Sequence, residues 1–148
     1  MRLPHGSTSF NITTPGPGPK HFRTLITAVA REFGAHVEEF LVPDGTPNHV
    51  TARVNERQRR FELLCHDSLF LLAFAEVSTT PGAPPVFRNE PPWAELLQAR
   101  SEFRVYTKEE LDTPLSRVDL SELNTFEHKQ IRHWRPDTVG ELTFNHWD

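Results

Sequence analysis

At 148 residues with a formal net charge of −4, the chain is long enough for one hydrophobic core and too acidic for a general nucleic-acid binder. Its one cysteine, Cys65, has no partner for an internal disulfide and suits a reducing compartment. The longest apolar run, Leu69 to Ala75, falls well short of the roughly 20 residues that cross a bilayer. No stretch of signal-peptide type opens the chain, so the expectation is a cytoplasmic protein with no membrane partner.

Residues 1–18 are rich in Pro, Gly, Ser and Thr, and "TPGPGP" suits neither a helix nor an interior strand. They read as a flexible N-terminal arm ahead of a single domain, 19–148. Phe22, Leu25, Ile26, Val29, Ala30 and Phe33 then fall at spacings of three and four, which places them on one face of a helix. Pro19 suits its first turn, and Gly34 suits a left-handed cap.

After Gly34 the period shifts toward two. "AHVEEFLV" reads as a strand ended by the turn "PDGTP". "HVTARV" puts Val50, Ala52 and Val54 on one face and His49, Thr51 and Arg53 on the other. "RRFELLCH" alternates in the same way, with Phe61, Leu63 and Cys65 inward. "LFLLAFAEV" has the unbroken apolarity of a central strand covered on both sides. Four strands with short connections predict an antiparallel meander.

Ser78 to Pro92 is a proline-rich loop, followed by a short helix, "WAELLQA", and a fifth strand, "EFRVYT". Thr107 with Glu110 and Thr138 with Glu141 have capping-box spacing. Leu123, Phe126, Ile131 and Trp134 share a helical stripe, which Pro136 ends while pushing Arg135 toward an extended conformation. Val139, Leu142 and Trp147 serve a last short helix. The fold class is α+β: an N-terminal helix, an antiparallel four- to five-stranded meander, and C-terminal helices packed on one sheet face.

The eight histidines raise a metal hypothesis. His128 and His133, five apart, lie roughly 140° apart around a helix and do not converge. His36, His49 and His66 lie on strands and can become cross-strand neighbours. Cys65, pointing inward, reads as a small core hydrophobe. "RVNERQRR" is the most basic patch, but no aromatic residue is interleaved there for base stacking. No phosphate loop, nucleophile elbow or metal-ligand motif occurs. No cofactor, metal or nucleic acid is expected.

The ending "HWRPDTVGELTFNHWD" resembles that of small bacterial proteins with a W-(R/K)-P-x-T-(V/I)-G-(E/D)-x-x-F-N-x-W-D close, associated with immunity or accessory roles in toxin systems. The resemblance covers about the last fifteen residues and implies a non-enzymatic protein that binds another protein. Charge distribution suggests where. From Glu90 to Glu127, nine carboxylates face four basic residues, and Glu109, Glu110, Asp112, Asp119 and Glu122 form a candidate partner-binding cluster for a basic toxin domain. The alternatives are a hydrolase built on His49, His66 or His146, and a chaperone-like module that binds an extended peptide.

Overall fold

Pro19–Glu32 forms α1, opened by Pro19 and closed by Gly34 in the left-handed region (φ 72°), in a computed structural model that describes residues 1–148. Phe22, Ile26, Val29 and Ala30 are buried, as their spacing demands. Phe33, one step beyond the helix, is instead exposed and stacks on Trp93.

The next four strands are β1 (Ala35–Leu41), β2 (His49–Glu56), β3 (Arg59–His66) and β4 (Leu71–Ala75), paired antiparallel in sequence order. The β2–β3 hairpin turns on Arg57 and Gln58, both at positive φ, the geometry of a two-residue primed turn. Neither residue is a glycine. The Gln58 N–H donates to Asn55 Oδ1 at 3.1 Å, which helps hold the turn.

After β4 the chain departs from the meander. The proline-rich segment, α2 (Ala94–Ala99) and β5 (Arg104–Tyr106) make a crossover, so β5 lies parallel to β4 and the sheet is mixed. The cause is the connection. A loop plus a helix carries the chain back to the end of the sheet from which β4 set out, which a hairpin does not do. Three short helices follow: α3 (Lys108–Leu111), α4 (Thr125–Trp134) and α5 (Val139–Thr143). Both capping sites expected from sequence are formed. Thr107 and Glu110 make a full capping box, and Thr138 accepts from the Glu141 N–H.

Helical layers cover both sheet faces, not one. On the first, α1 and α2 pack on Val50, Ala52, Val54, Phe61, Leu63 and Cys65. On the second, Leu64, Leu71, Ala73 and Ala75 meet Leu3, Leu111, Val139, Leu142 and Phe144. The C-terminal helices therefore keep to the face opposite α1. No helix is long and apolar enough to cross a membrane.

The N-terminal segment is pinned where the sequence suggests a free arm. Leu3, Ser7 and Thr8 are fully buried. The Leu3 N–H donates to Asp119 O at 3.1 Å, and the Asp119 N–H donates to Met1 O at 2.9 Å. Gly16 lies so close to the β3–β4 turn that an added Cβ would sit 2.2 Å from Asp67 O. Proline and glycine keep the segment out of helix and sheet, but they do not stop it from packing.

Around α4 only part of the expected apolar stripe meets the core: Leu123 is buried and Ile131 packs against the second core. Phe126 is 54% exposed and Trp134 lies outside the core, while the carboxylate of Glu127 is fully buried. Arg135 ends the helix in the left-handed region (φ 51°, ψ 57°) rather than extended. Pro136 disfavours only the right-handed helical well of its predecessor, and the cap takes the other turn.

Candidate functional site

Strand alternation places His49, Thr51 and Arg53 of β2 on the second face, directly opposite His66, Leu64 and Glu62 of β3. The C-terminal helices cover one end of this face. The rest is the floor of a cleft of about 930 Å³. Its walls are the end of β1 with the following turn, Phe40 to Pro47, and the proline-rich segment Glu76 to Val86; His146 stands at one end. The Ser78 N–H donates to Glu62 Oε1 at 3.1 Å and the Glu76 N–H to Val86 O at 2.8 Å, which fastens the second wall to the sheet.

Arg53 organises one end of the floor. Its Nε donates to Glu62 Oε2 at 3.0 Å and its Nη1 to Glu39 Oε2 at 2.9 Å. Glu62 is nearly buried and spends both oxygens, one on the guanidinium and one on the Ser78 amide. This arginine belongs to the basic patch read from sequence, yet its strand face turns it away from the hairpin tip into the cleft.

His49 sits at the other end. Asn48 Oδ1 accepts from the Asn145 N–H at 2.9 Å and lies 3.1 Å from His49 Nδ1. An amide oxygen only accepts, so Nδ1 carries the ring proton and Nε2 presents a lone pair. Burial pushes the His49 pKa down to about 3, with smaller contributions from His146 and His66. His146 makes an edge contact with it at 5.5 Å between ring centroids, and burial lowers its pKa as well. Both rings are neutral at pH 7.

His66 is committed elsewhere. Its Nδ1 accepts the Ser68 and Leu69 N–H groups at 3.1 and 3.0 Å, and its Nε2 donates to Ser7 O at 2.9 Å. Ser9 Oγ lies 3.3 Å from Nε2 and Asp67 carries a carboxylate nearby, so the residue types of a hydrolytic triad are present. The protons are wrongly placed for one. Ser9 donates to Asp67 Oδ1 at 2.6 Å, and Nε2 holds its own proton toward a carbonyl. Burial also lowers the His66 pKa. The ring staples the N-terminal segment to the β3–β4 turn.

The three histidines named from sequence thus gather at one end of the sheet, but His36 does not join them; it pairs with Asn55 at the other end. They form no metal-ligating set, since His66 has no free nitrogen. Cys65 faces the first core, and burial with the charge of Asp67 pushes its thiol up to about 12.

The acidic residues singled out from sequence lie outside the cleft. Glu110 caps α3 and pairs with Arg104, Asp112 pairs with Lys108, and Asp119 and Glu122 hold Arg2. Hydrogen bonds from Ser121 and then Arg2 hold the Asp119 carboxyl at about 2. Glu109 alone is exposed without an ion-pair partner.

The tail motif is largely structural. Asn145 and Asn48 exchange backbone and side-chain hydrogen bonds, and Asn145 Nδ2 also donates to Thr8 O at 3.2 Å and Leu142 O at 2.8 Å. Gly140 fits under Phe87, where a Cβ would meet the ring at 2.2 Å. The Trp134 and Trp147 rings lie parallel with centroids 6.0 Å apart. No family model matches the chain, and neither a curated protein nor a solved structure matches it.

Proposed function

We propose that the chain is a non-enzymatic binding protein, an immunity-type inhibitor that occludes a basic partner toxin, and that it binds through the cleft. One observation carries this reading. Leu41, Val42 and Val86 stand 39, 59 and 67% exposed, and all three line the cleft. Scattered exposed apolar residues need no explanation, but three around one concave surface mark a binding site. The paired carboxylates Asp112, Asp119 and Glu122, with Glu109 and Glu110, then serve long-range attraction of a basic partner rather than direct contact.

A hydrolase is the second reading, favoured only by His49, which lines the cleft with its Nε2 unbonded. A base held near 3 is too weak to take a proton efficiently at pH 7, and the hydroxyl nearest a histidine, that of Ser9, already donates to Asp67.

The test begins with a photo-crosslinking residue at position 42, which identifies the partner by the segment it captures. Val42→Asp combined with Val86→Asp should leave the urea midpoint unchanged and weaken that partner by about 100-fold or more, the scale of a lost hot spot. A double variant that binds as tightly as the parent would place the interface elsewhere.

A further inference from the structure

We propose that the cleft recognises a lysine or arginine side chain presented by the partner on a loop with apolar neighbours. The inference rests on the binding-protein reading and specifies what is bound.

The floor holds polar atoms that this chain leaves unused. His49 is 3% exposed and Thr51 8%, so each is more than nine-tenths buried, and both line the cleft. His49 Nε2 offers a lone pair, and the Thr51 hydroxyl has no hydrogen-bond partner in the chain although it is not sealed from the cleft. Both atoms remain accessible from the cleft and find no partner within the chain, so the two offer a ligand adjacent hydrogen-bond sites on one strand face. They are two residues apart, or about 7 Å along an extended strand, which suits an extended segment laid along the groove.

Charge decides the sign of that ligand. Among the lining residues Glu62 and Glu76 outnumber Arg53, and Glu39 further offsets the guanidinium from outside. An anion brought here would meet carboxylates and an acceptor lone pair. An ammonium or guanidinium would donate to His49 Nε2 or to Thr51 Oγ1 in a negative field. The rim decides the source. A free amine leaves Leu41, Val42 and Val86 in water, whereas a loop that carries apolar residues beside its cation covers them.

The experiment titrates the isotope-labelled full chain with acetyl-Val-Arg-Val-amide, with its alanine and glutamate counterparts, and with arginine amide, following backbone NMR shifts. The arginine tripeptide should perturb Leu41, Val42, Thr51 and the Glu76 to Val86 segment. It should bind about tenfold more tightly than the alanine tripeptide, the scale of one charge-assisted contact. Thr51→Val and Glu76→Gln should each weaken the arginine tripeptide severalfold and leave the alanine one unchanged. If the alanine or glutamate tripeptide binds as tightly, the preference for a cation is overturned while the cleft remains a binding surface. Arginine amide binding as tightly as the tripeptide would overturn the loop as the source. Shifts absent from the cleft with every probe would overturn this inference and the binding-protein reading together.

Discussion

Glu127 shows how a single residue can carry a long-range fold decision. Its carboxylate accepts the Gly6 N–H at 2.9 Å, the Thr8 N–H at 2.8 Å and the Thr8 hydroxyl at 2.6 Å, besides the Asn124 N–H of its own capping box. Removing it strands several buried donors, so Glu127→Ala should cost on the order of 3 kcal/mol in urea denaturation. Glu127→Gln keeps one acceptor oxygen and should cost less. Equal losses for the two would mean that size, not acceptance, matters there. His49 makes the matching argument in pH. Its folded pKa, about 3, lies below the ordinary 6.5, so below 6.5 the unfolded chain takes a proton that the folded one refuses. Stability is complete above pH 6.5 and is lost as pH falls toward 3, by up to about 1.4 kcal/mol per unit for each such histidine. His66, also lowered, adds in the same direction. Urea midpoints at pH 7.5, 6 and 5 should fall, and His49→Gln should flatten the decline. A midpoint that holds from pH 7.5 to 5 would refute the burial argument. That His49, Thr51 and Arg53 share one strand face was legible as alternation, but the burial of His49 and Thr51 on that face was not. Glu127 was not, because its donors lie about 120 residues away and no local period encodes them.

At the scale of elements, the legible parts are those built from local rules. α1 follows its apolar spacing, the β2–β3 hairpin follows alternation, and the caps at Thr107 and Thr138 follow their box spacing. The parallel direction of β5 was hidden because it depends on where the proline-rich connection delivers the chain, whereas the C-terminal helices do pack on one sheet face as expected. Of the α4 stripe, Leu123 and Ile131 meet the second core as expected, while polar Glu127, not Phe126, answers the N-terminal segment. α5 supplies the prediction proper to this scale. Gly140 is helical and buried against Phe87, so its value is the missing Cβ and not an unusual φ. Gly140→Ala improves helix propensity by up to about 1 kcal/mol, yet must push an aromatic ring out of a filled core. We expect a net destabilisation of about 1–3 kcal/mol. Pairing it with Phe87→Leu, which makes room, should recover part of the loss. A stabilised single variant would show that the Phe87 ring has free space to move.

For the whole molecule, the two chain ends are one structural unit laid over the second sheet face. Asn145 donates to Thr8 O, Asn48 donates to Thr143 O and to Ser9 Oγ, and Phe10 packs near Trp147. His66 and Glu127 grip the N-terminal segment from the sheet and from α4. Neither end can therefore be a detachable arm in this fold. Deleting residues 1–11 removes buried Leu3, Ser7 and Thr8 and leaves Glu127, Asn145 and His66 without partners they now have. Removing residues from Arg135 onward strips Val139, Leu142 and Phe144 from the same core. Each deletion alone should lower the thermal midpoint by well over 10 °C, since losses of several kcal/mol at about 4 °C or more per kcal/mol accumulate in a small domain. A synthetic peptide of residues 1–11, added to the chain lacking them, should raise the midpoint in a concentration-dependent way by mass action. The same peptide carrying Thr8→Val, which cannot donate its hydroxyl to Glu127, should restore less. A shortened chain that melts with the parent, or a peptide with no effect at millimolar concentration, would return the segment to the free arm that its proline and glycine content suggests.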